Sequence, residues 1–292
     1  MELELWSDLS QAISALQRQI RRCRGDQYST ASIVRVYLWA VLHDWPMIWA
    51  CDARNWTQQT RPRQLPDQST LSRRTRRADF QESLAKMGRR LNGAAKTQYL
   101  KIIDGKPLEL PNHTSDRDAR WGRGVSRHSI GYKIHAIISE NPLPDALAIT
   151  PLNVCEKRMA HRLIRRVEGS GYLLADGNYD ASWLFDVCRD QGRQLVCPRA
   201  KPGTGIGHRY QSPHRLRAID ILEPPATIND FGRQLYRRRS DIERQFSQMV
   251  SFGGGLTCLP PWVRRIWRVR NWVWAKLLIN AARIRRRTKR AG

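Results

Sequence analysis

The chain has 292 residues, enough for one large domain or two smaller ones with buried cores. Its 51 Lys and Arg against 26 Asp and Glu leave a net charge of +25, which calls for a polyanionic partner, most simply nucleic acid. None of its six cysteines forms a Cys-x-x-Cys pair, which argues against a zinc site, and charges and a proline interrupt the most apolar stretches before they could span a bilayer. The charge is uneven. Residues 233–292 hold 16 basic residues against 2 acids and residues 61–101 hold 11 against 3, whereas residues 102–232 hold 18 against 15. Two basic segments thus flank a nearly neutral middle, the distribution of a catalytic core with phosphate-gripping surfaces around it. A soluble basic protein of the ribosomal kind is the plain alternative on composition alone. The acidic start, Met1–Leu5, predicts no signal peptide, and the cysteines are expected to be reduced in the cytoplasm.

In chain order, residues 6–50 carry helical patterning, and Ser32–Leu42 reads as a buried helix. Pro66 stops what precedes it. Asp67 or Ser69 can cap a new helix that carries Arg73, Arg74, Arg76 and Arg77. A short basic helix after a tight turn is what a helix-turn-helix reader presents to DNA; the alternative is a solvated basic helix. From about residue 98 the period changes. Tyr99–Asp104, Gly131–Ile138 and Ala146–Thr150 read as strands, the last two joined by a turn at Asn141–Asp145. Cys155–Val167 reads as a helix, Gly171–Asp176 as a strand, Ala181–Gln191 as a helix and Gln194–Pro198 as a fifth strand. Short connections predict an antiparallel meander for the first three strands, and helical crossovers predict parallel pairing for the others. The fold class is therefore α/β, an RNase H-like mixed five-stranded sheet flanked by helices. Residues 200–232 read as a loop-rich insertion with a weak strand near Ala218–Leu222. Helices are expected over Gln234–Val250 and from Trp262 to about Arg287, with the basic tail Arg283–Arg290 frayed. The predicted division is a helical DNA-binding region over 1–97 and a catalytic domain over 98–292, the latter including the basic helix 262–290.

Asp104 and Asp176 each end an apolar run, and Glu243 follows Tyr236 and Arg239 at i, i+3 and i+7, one face of a helix. Two acids at strand ends and a third on a later helix can converge from distant parts of a chain. Such oxygen ligands bind Mg²⁺, and a pair of these ions serves in-line displacement at phosphorus, with Mn²⁺ as a substitute. Asp104, on the first strand, suits the bridging position. Taken singly, an Asp before Gly is often a turn former, and a Glu on a basic helix is often an ion-pair partner. Joint placement on the right elements in the right order favours the metal site. Asp116, Asp118, Asp180 and Asp241 compete for the role. Arg239 can hold a phosphate in two-pronged fashion, and Tyr236 can hydrogen-bond a phosphate or stack on a base. His135 reads as structural, and His113 and His128 carry no assigned role.

These motifs together resemble the bacterial insertion-sequence transposases of the DDE class, groups four and five of those elements, over about Leu65–Ile284. Pro66–Arg73 is similar to the family's N-terminal helical motif, Ile103–Lys106 to its first acid motif, and Gly131–Ala136 to its second strand. Ala175–Asp180 is similar to the second acid motif, and Tyr236, Arg239 and Glu243 to the Tyr-Arg-Glu-Lys signature around the third. The Lys of that signature is replaced by Val250, so its phosphate contact passes to another basic residue such as Arg244, or end binding is weaker. The interval from Asp176 to Glu243 leaves no room for the β-rich insertion that some relatives carry. The resemblance implies a DNA transposase that binds terminal inverted repeats in double-stranded DNA and pairs two ends as a homodimer. Cleavage at the element's end frees a 3′-OH, which then attacks target DNA. It also implies a nucleoid-associated bacterial protein with no membrane partner. A repair nuclease on the same fold and a catalytically inactive, transposase-derived DNA-binding protein are the alternatives.

Overall fold

The computed structural model describes residues 2–17, 25–93, 98–206, 210–223, 230–240, 256 and 259–291. The chain divides into two units, one formed by Met1–Ala94 with Met249–Gly292 and the other by Ala95–Gln248.

The first unit is helical: α1 (Glu2–Gln17), α2 (Thr30–Leu42), α3 (Met47–Ala50), α4 (Gln68–Arg74), α5 (Ala78–Asn92) and α10 (Ile266–Ala291). α2 is buried on almost every side, from Ala31 through Val41, so it forms the centre around which the others pack. Its N-terminus is closed by Ser29, whose hydroxyl accepts from the Ser32 N–H. Asp67 caps α4 as expected, accepting from the Thr70 N–H at 2.8 Å. α10 packs against α5, α1 and α2, so the C-terminal helix belongs with the N-terminal helices and not with the sheet-bearing domain. The cause is its apolar stripe, in which Val269, Trp272, Val273, Leu277 and Leu278 are all buried. The helix starts at Ile266 rather than Trp262, because Arg265 has a φ of 75°, outside helical geometry. Its basic tail stays helical through Ala291 instead of fraying. Arg285 donates to the carbonyls of Arg90 and Leu91, and Arg286 pairs with Glu4 and Asp8, which ties the tail down.

The second unit is built on a six-stranded mixed sheet: β1 (Leu100–Leu110), β2 (Arg120–Arg123), β3 (His128–Ile138), β4 (Ala146–Pro151), β5 (Gly171–Leu174) and β6 (Arg193–Val196). β1 is central. It runs antiparallel to β3 on one side and parallel to β5 on the other, and β6 extends the parallel side. β4 and the short β2 share the far edge of β3. This is the RNase H-like arrangement, with one strand more than the five expected. Helices α6 (Glu156–Ile164), α7 (Ser182–Asp190) and α8 (Pro213–Leu222) accompany it, and residues 231–240 form α9. One face of the sheet, with Ile103, Leu173, Ala175 and Leu195, closes a core with Leu163, Ile164, Leu184 and Phe185 of α6 and α7 and Ala218 of α8.

Three expectations change here. β1 continues six residues past Asp104 to Leu110, since β3 accompanies it throughout; Pro107 falls in the half of β1 that β5 does not flank. β2 is an added strand. The weak strand at Ala218–Leu222 is the end of α8, because Ser212 caps its N-terminus and Pro213 occupies the first turn, a strong helix start.

Candidate active site

Asp104 sits mid-strand in β1, opposite Ala136 of β3. Asp176 follows the end of β5 and caps a short turn, Gly177–Tyr179, with one carboxylate oxygen accepting from the Asn178 N–H and the other from its side-chain amide. β1 and β5 are parallel neighbours with Ile102 opposite Leu174. Two residues further along each chain stand Asp104 and Asp176. Neighbouring strands lie about 5 Å apart, so the register alone brings the two acids side by side. Both are half-buried.

Side-chain alternation fixes the direction of Asp104. A Cβ added to Gly105 would stand 3.1 Å from Glu156 Oε1 at the start of α6, so Asp104 projects from the opposite face of the sheet. Helix α9 approaches β5. Its Phe231 meets Tyr172 edge-on with ring centroids 6.0 Å apart, and the Tyr236 hydroxyl donates to the carbonyl of Ala175, next to Asp176. Arg239 donates to the Tyr236 oxygen at 3.3 Å, with its guanidinium 5.8 Å from the ring centroid. The structure therefore brings Asp104, Asp176, Tyr236 and Arg239 together. Tyr179 reports this convergence. Its pKa is held well above the ordinary phenol value, first by burial and then by Glu156, Asp104 and Asp176, with Arg239 acting in the other direction. Lys106, next along β1 from Gly105, is held below the ordinary lysine value by burial, against the pull of Asp104.

Glu243 lies outside the described residues, as do Asp241, Arg244 and Val250. Among the described residues no group of three His, Cys, Asp or Glu side chains is placed to hold a metal ion. The two aspartates nevertheless suit a hard divalent cation, since their donors are carboxylate oxygens.

Two of the competing acids have structural partners. Asp180 binds Arg215 at 2.6 and 2.8 Å and accepts from the Ala200 N–H, and Asp116 is buried under the Tyr132 hydroxyl at 2.7 Å. His135 is buried against the Thr150 hydroxyl at 2.9 Å, which agrees with a structural role. Glu156 escaped the sequence reading. It pairs with Lys133 at 2.8 Å, and its only signal in the sequence is an acid in the first turn of a helix.

In the helical unit, the four expected DNA-contacting arginines separate: only Arg73 and Arg74 lie in α4, Arg76 stands in the turn after it, and Arg77 is the N-cap of α5. Arg74 is buried and engaged by Asp26, Asp79, the Tyr28 carbonyl and Thr30. Arg77 pairs with the same two aspartates. Arg73 and Arg76 are exposed, and the Arg76 guanidinium lies 4.8 Å from the Trp267 ring centroid.

The family model described as "Transposase DDE domain" matches residues 96–279, more than half of the chain. The chain belongs to the transposase DDE domain family. Among solved structures, this transposase is similar to a piggyBac transposase, in a cryo-EM synaptic complex with hairpin DNA, at 10% identity and a TM-score of 0.49. That match covers 95% of the present chain and 71% of the other. No curated protein sequence matches. Among the described residues no helix of the transposase is long and apolar enough to cross a membrane.

Proposed function

We propose that this DDE transposase binds the terminal inverted repeats of an insertion sequence and catalyses metal-dependent cleavage and strand transfer at Asp104, Asp176 and Glu243. The observation that carries this reading is the register of β1 and β5, which sets Asp104 beside Asp176 where Tyr236 of α9 reaches the Ala175 carbonyl. The three carboxylates would hold two Mg²⁺ ions, or Mn²⁺ in their place, which when bound neutralise charge developing on the phosphorus oxygens. Tyr236 and Arg239 position the scissile strand: the guanidinium grips a phosphate and the tyrosine orients it. Asn178 holds Asp176 through both carboxylate oxygens, so that acid keeps its orientation when DNA arrives. Arg73 and Arg76 would contact phosphates of the repeat, and two copies would pair the ends. Arg74 and Arg77 would act on DNA only through the placement of α4 and the start of α5. The site works where DNA is, in the bacterial cytoplasm.

The test is cleavage of a labelled duplex carrying the element's own end, comparing the native chain with Asp104→Asn and Glu243→Gln. Metal-dependent nicking that falls by at least about 100-fold in each variant, with DNA binding retained, supports the reading. Binding without nicking in all three proteins would instead favour a catalytically inactive DNA-binding protein, for which Val250 in place of the family's Lys is the sequence argument.

A further inference from the structure

Four arginines gather over residues 73–77, and Asp26 and Asp79 engage only two of them, Arg74 and Arg77. The exposed Arg76 turns instead to α10, where its guanidinium lies 4.8 Å from the centroid of the Trp267 ring. A second guanidinium, that of Arg268, lies 5.0 Å from the same ring centroid. The Arg268 Nε is buried without a hydrogen bond, and among the described residues neither arginine has a carboxylate partner. Burial, and then the charge of Arg76, hold the Arg268 pKa below the ordinary guanidinium value; Arg265 acts in the same direction and Tyr37 against it. A cation–π contact is a small attraction that leaves the charge in place. Two like charges gathered at one indole repel each other, and an anion between or beside them relieves that repulsion.

The fold fixes this pair. Asn271, one turn beyond Trp267, is buried and donates to the Thr75 carbonyl at 2.9 Å. Thr75 is the C-cap of α4 and the residue before Arg76. Gln81 of α5 donates in turn to the Asn271 side-chain oxygen. The turn that carries Arg76 and the start of α10 are therefore fastened through a buried polar network, all of it within the helical unit. A guanidinium placed over a ring keeps N–H groups free for phosphate oxygens, and it has already given up part of its rotamer freedom. The arrangement is thus prepared for a phosphate at little ordering cost.

We propose that Arg76 and Arg268, held at Trp267, form a clip for the phosphate backbone of double-stranded DNA, so that the DNA-binding surface of the helical unit is built from both ends of the chain. The inference rests on the transposase reading above and extends it to the C-terminal helix. The clip positions the duplex and reads no sequence, because phosphates are the same at every step. Trp267 is a positioning residue that acts through the two guanidiniums.

The probes are two fluorescein-labelled duplexes, one carrying the element's own end and one of scrambled sequence. Anisotropy titrations over a range of salt compare the native chain with Arg76→Met, Arg268→Met, the double variant, Trp267→Leu, Trp267→Phe and the control Arg287→Met, an exposed arginine about 30 Å further along α10. Thermal melting of each checks the fold. Each single arginine variant of the clip should bind both duplexes about ten-fold more weakly, the size of one charged hydrogen-bond contact. The slope of log affinity against log salt should fall by about one in each and by about two in the double variant. Trp267→Leu keeps both charges, so it should keep the slope while weakening binding about three-fold, and Trp267→Phe should restore most of that loss. An unchanged slope in either Arg76→Met or Arg268→Met, with native binding intact, overturns the clip and leaves the transposase reading standing. An equal loss in Arg287→Met shows only the general charge of α10 and also overturns it. A loss confined to the element's end assigns these residues to base reading and overturns the phosphate clip. Inorganic phosphate at matched ionic strength that competes with the native chain but not with Arg268→Met assigns the site to a free anion, again overturning the proposal. Binding of neither duplex by the native chain overturns both readings.

Discussion

Replacing Arg74 with methionine separates a structural arginine from its neighbour Arg73, which is proposed to contact DNA. The guanidinium is 7% exposed as a residue and donates at 2.8 Å to the Tyr28 carbonyl and at 3.1 Å to the Thr30 hydroxyl, with Asp26 and Asp79 at 3.2 and 3.4 Å. Methionine keeps most of the packing volume and removes every donor. Breaking a buried ion pair from one side costs about 3–5 kcal/mol, because the opposite charge stays behind. Arg77 still pairs with both aspartates at 3.0 and 3.2 Å, so the expected loss is at the lower end, about 3 kcal/mol. Arg73→Met, one residue away and exposed, should change stability by less than about 0.5 kcal/mol. Urea unfolding followed by tryptophan fluorescence measures both, and titrations of duplex DNA over a range of salt measure the complementary quantity. Arg73→Met should reduce the slope of log affinity against log salt by about one, and Arg74→Met should leave the slope of the folded fraction unchanged. Equal stability of the two variants, with the salt slope reduced in Arg74→Met, would show that the guanidinium leaves its pocket for a phosphate and would refute the reasoning.

Two further outcomes follow from the sheet. Burial, and then the charge of Lys133, hold the pKa of His135 down at about 4 against an ordinary 6.5. The unfolded chain therefore takes up a proton that the folded one refuses, so this contribution is complete above pH 6.5 and is lost as pH falls toward 4, by up to about 3 kcal/mol. Urea midpoints measured across that window should fall less steeply in His135→Gln; an unchanged slope would exclude the histidine as the source. Gly131 stands under the β1 backbone, where an added Cβ would lie 2.2 Å from the Leu108 carbonyl oxygen. Neither strand can yield without breaking the β1–β3 ladder, so Gly131→Ala should lower stability by about 3 kcal/mol in thermal unfolding, and a melting curve matching the native one would contradict that contact.

Strand order was legible in the sequence because period and punctuation agreed: apolar runs of four to eight residues, an Asn141–Asp145 turn, and helical spacers before β5 and β6. β2 was not legible, since two of its four residues are arginines and its pairing is supplied by β3 rather than by its own pattern. The extension of β1 past Asp104 is tertiary in the same sense; Gly105, Lys106 and Pro107 carry no strand signal, and the ladder with β3 imposes one. The aspartates were legible as a pair because β1 and β5 place them in register, a consequence of strand order. What composition could not divide was the arginine cluster over residues 73–77. Arg73 and Arg74 are neighbours in a helix, so they point about 100° apart, and only the positions of Asp26 and Asp79 decide which one turns inward. The C-terminal helix was assigned by proximity in sequence, whereas its apolar stripe matches the helical unit that begins the chain.

Three acids raise the pKa of Tyr179, and their number alone would suggest that Glu156 could complete a metal site with Asp104 and Asp176. Strand alternation argues otherwise. Glu156 faces Gly105 on the side where α6, α7 and α8 cover the sheet, and Asp104 projects from the other side. Glu156 is also neutralised by Lys133 at 2.8 Å, so it offers a cation little net charge. Two aspartates supply two negative charges, enough to attract one divalent ion but few for a pair of them held close together. The proposed two-metal site therefore calls for a third carboxylate on the Asp104 face, and α9, seated on Tyr172 and the Ala175 carbonyl, approaches β5 on that side. The proposed third ligand is Glu243, seven residues after Tyr236 in the sequence, and on that proposal Glu243→Gln should lose metal binding and keep the fold, which metal titration and thermal melting of the variant check.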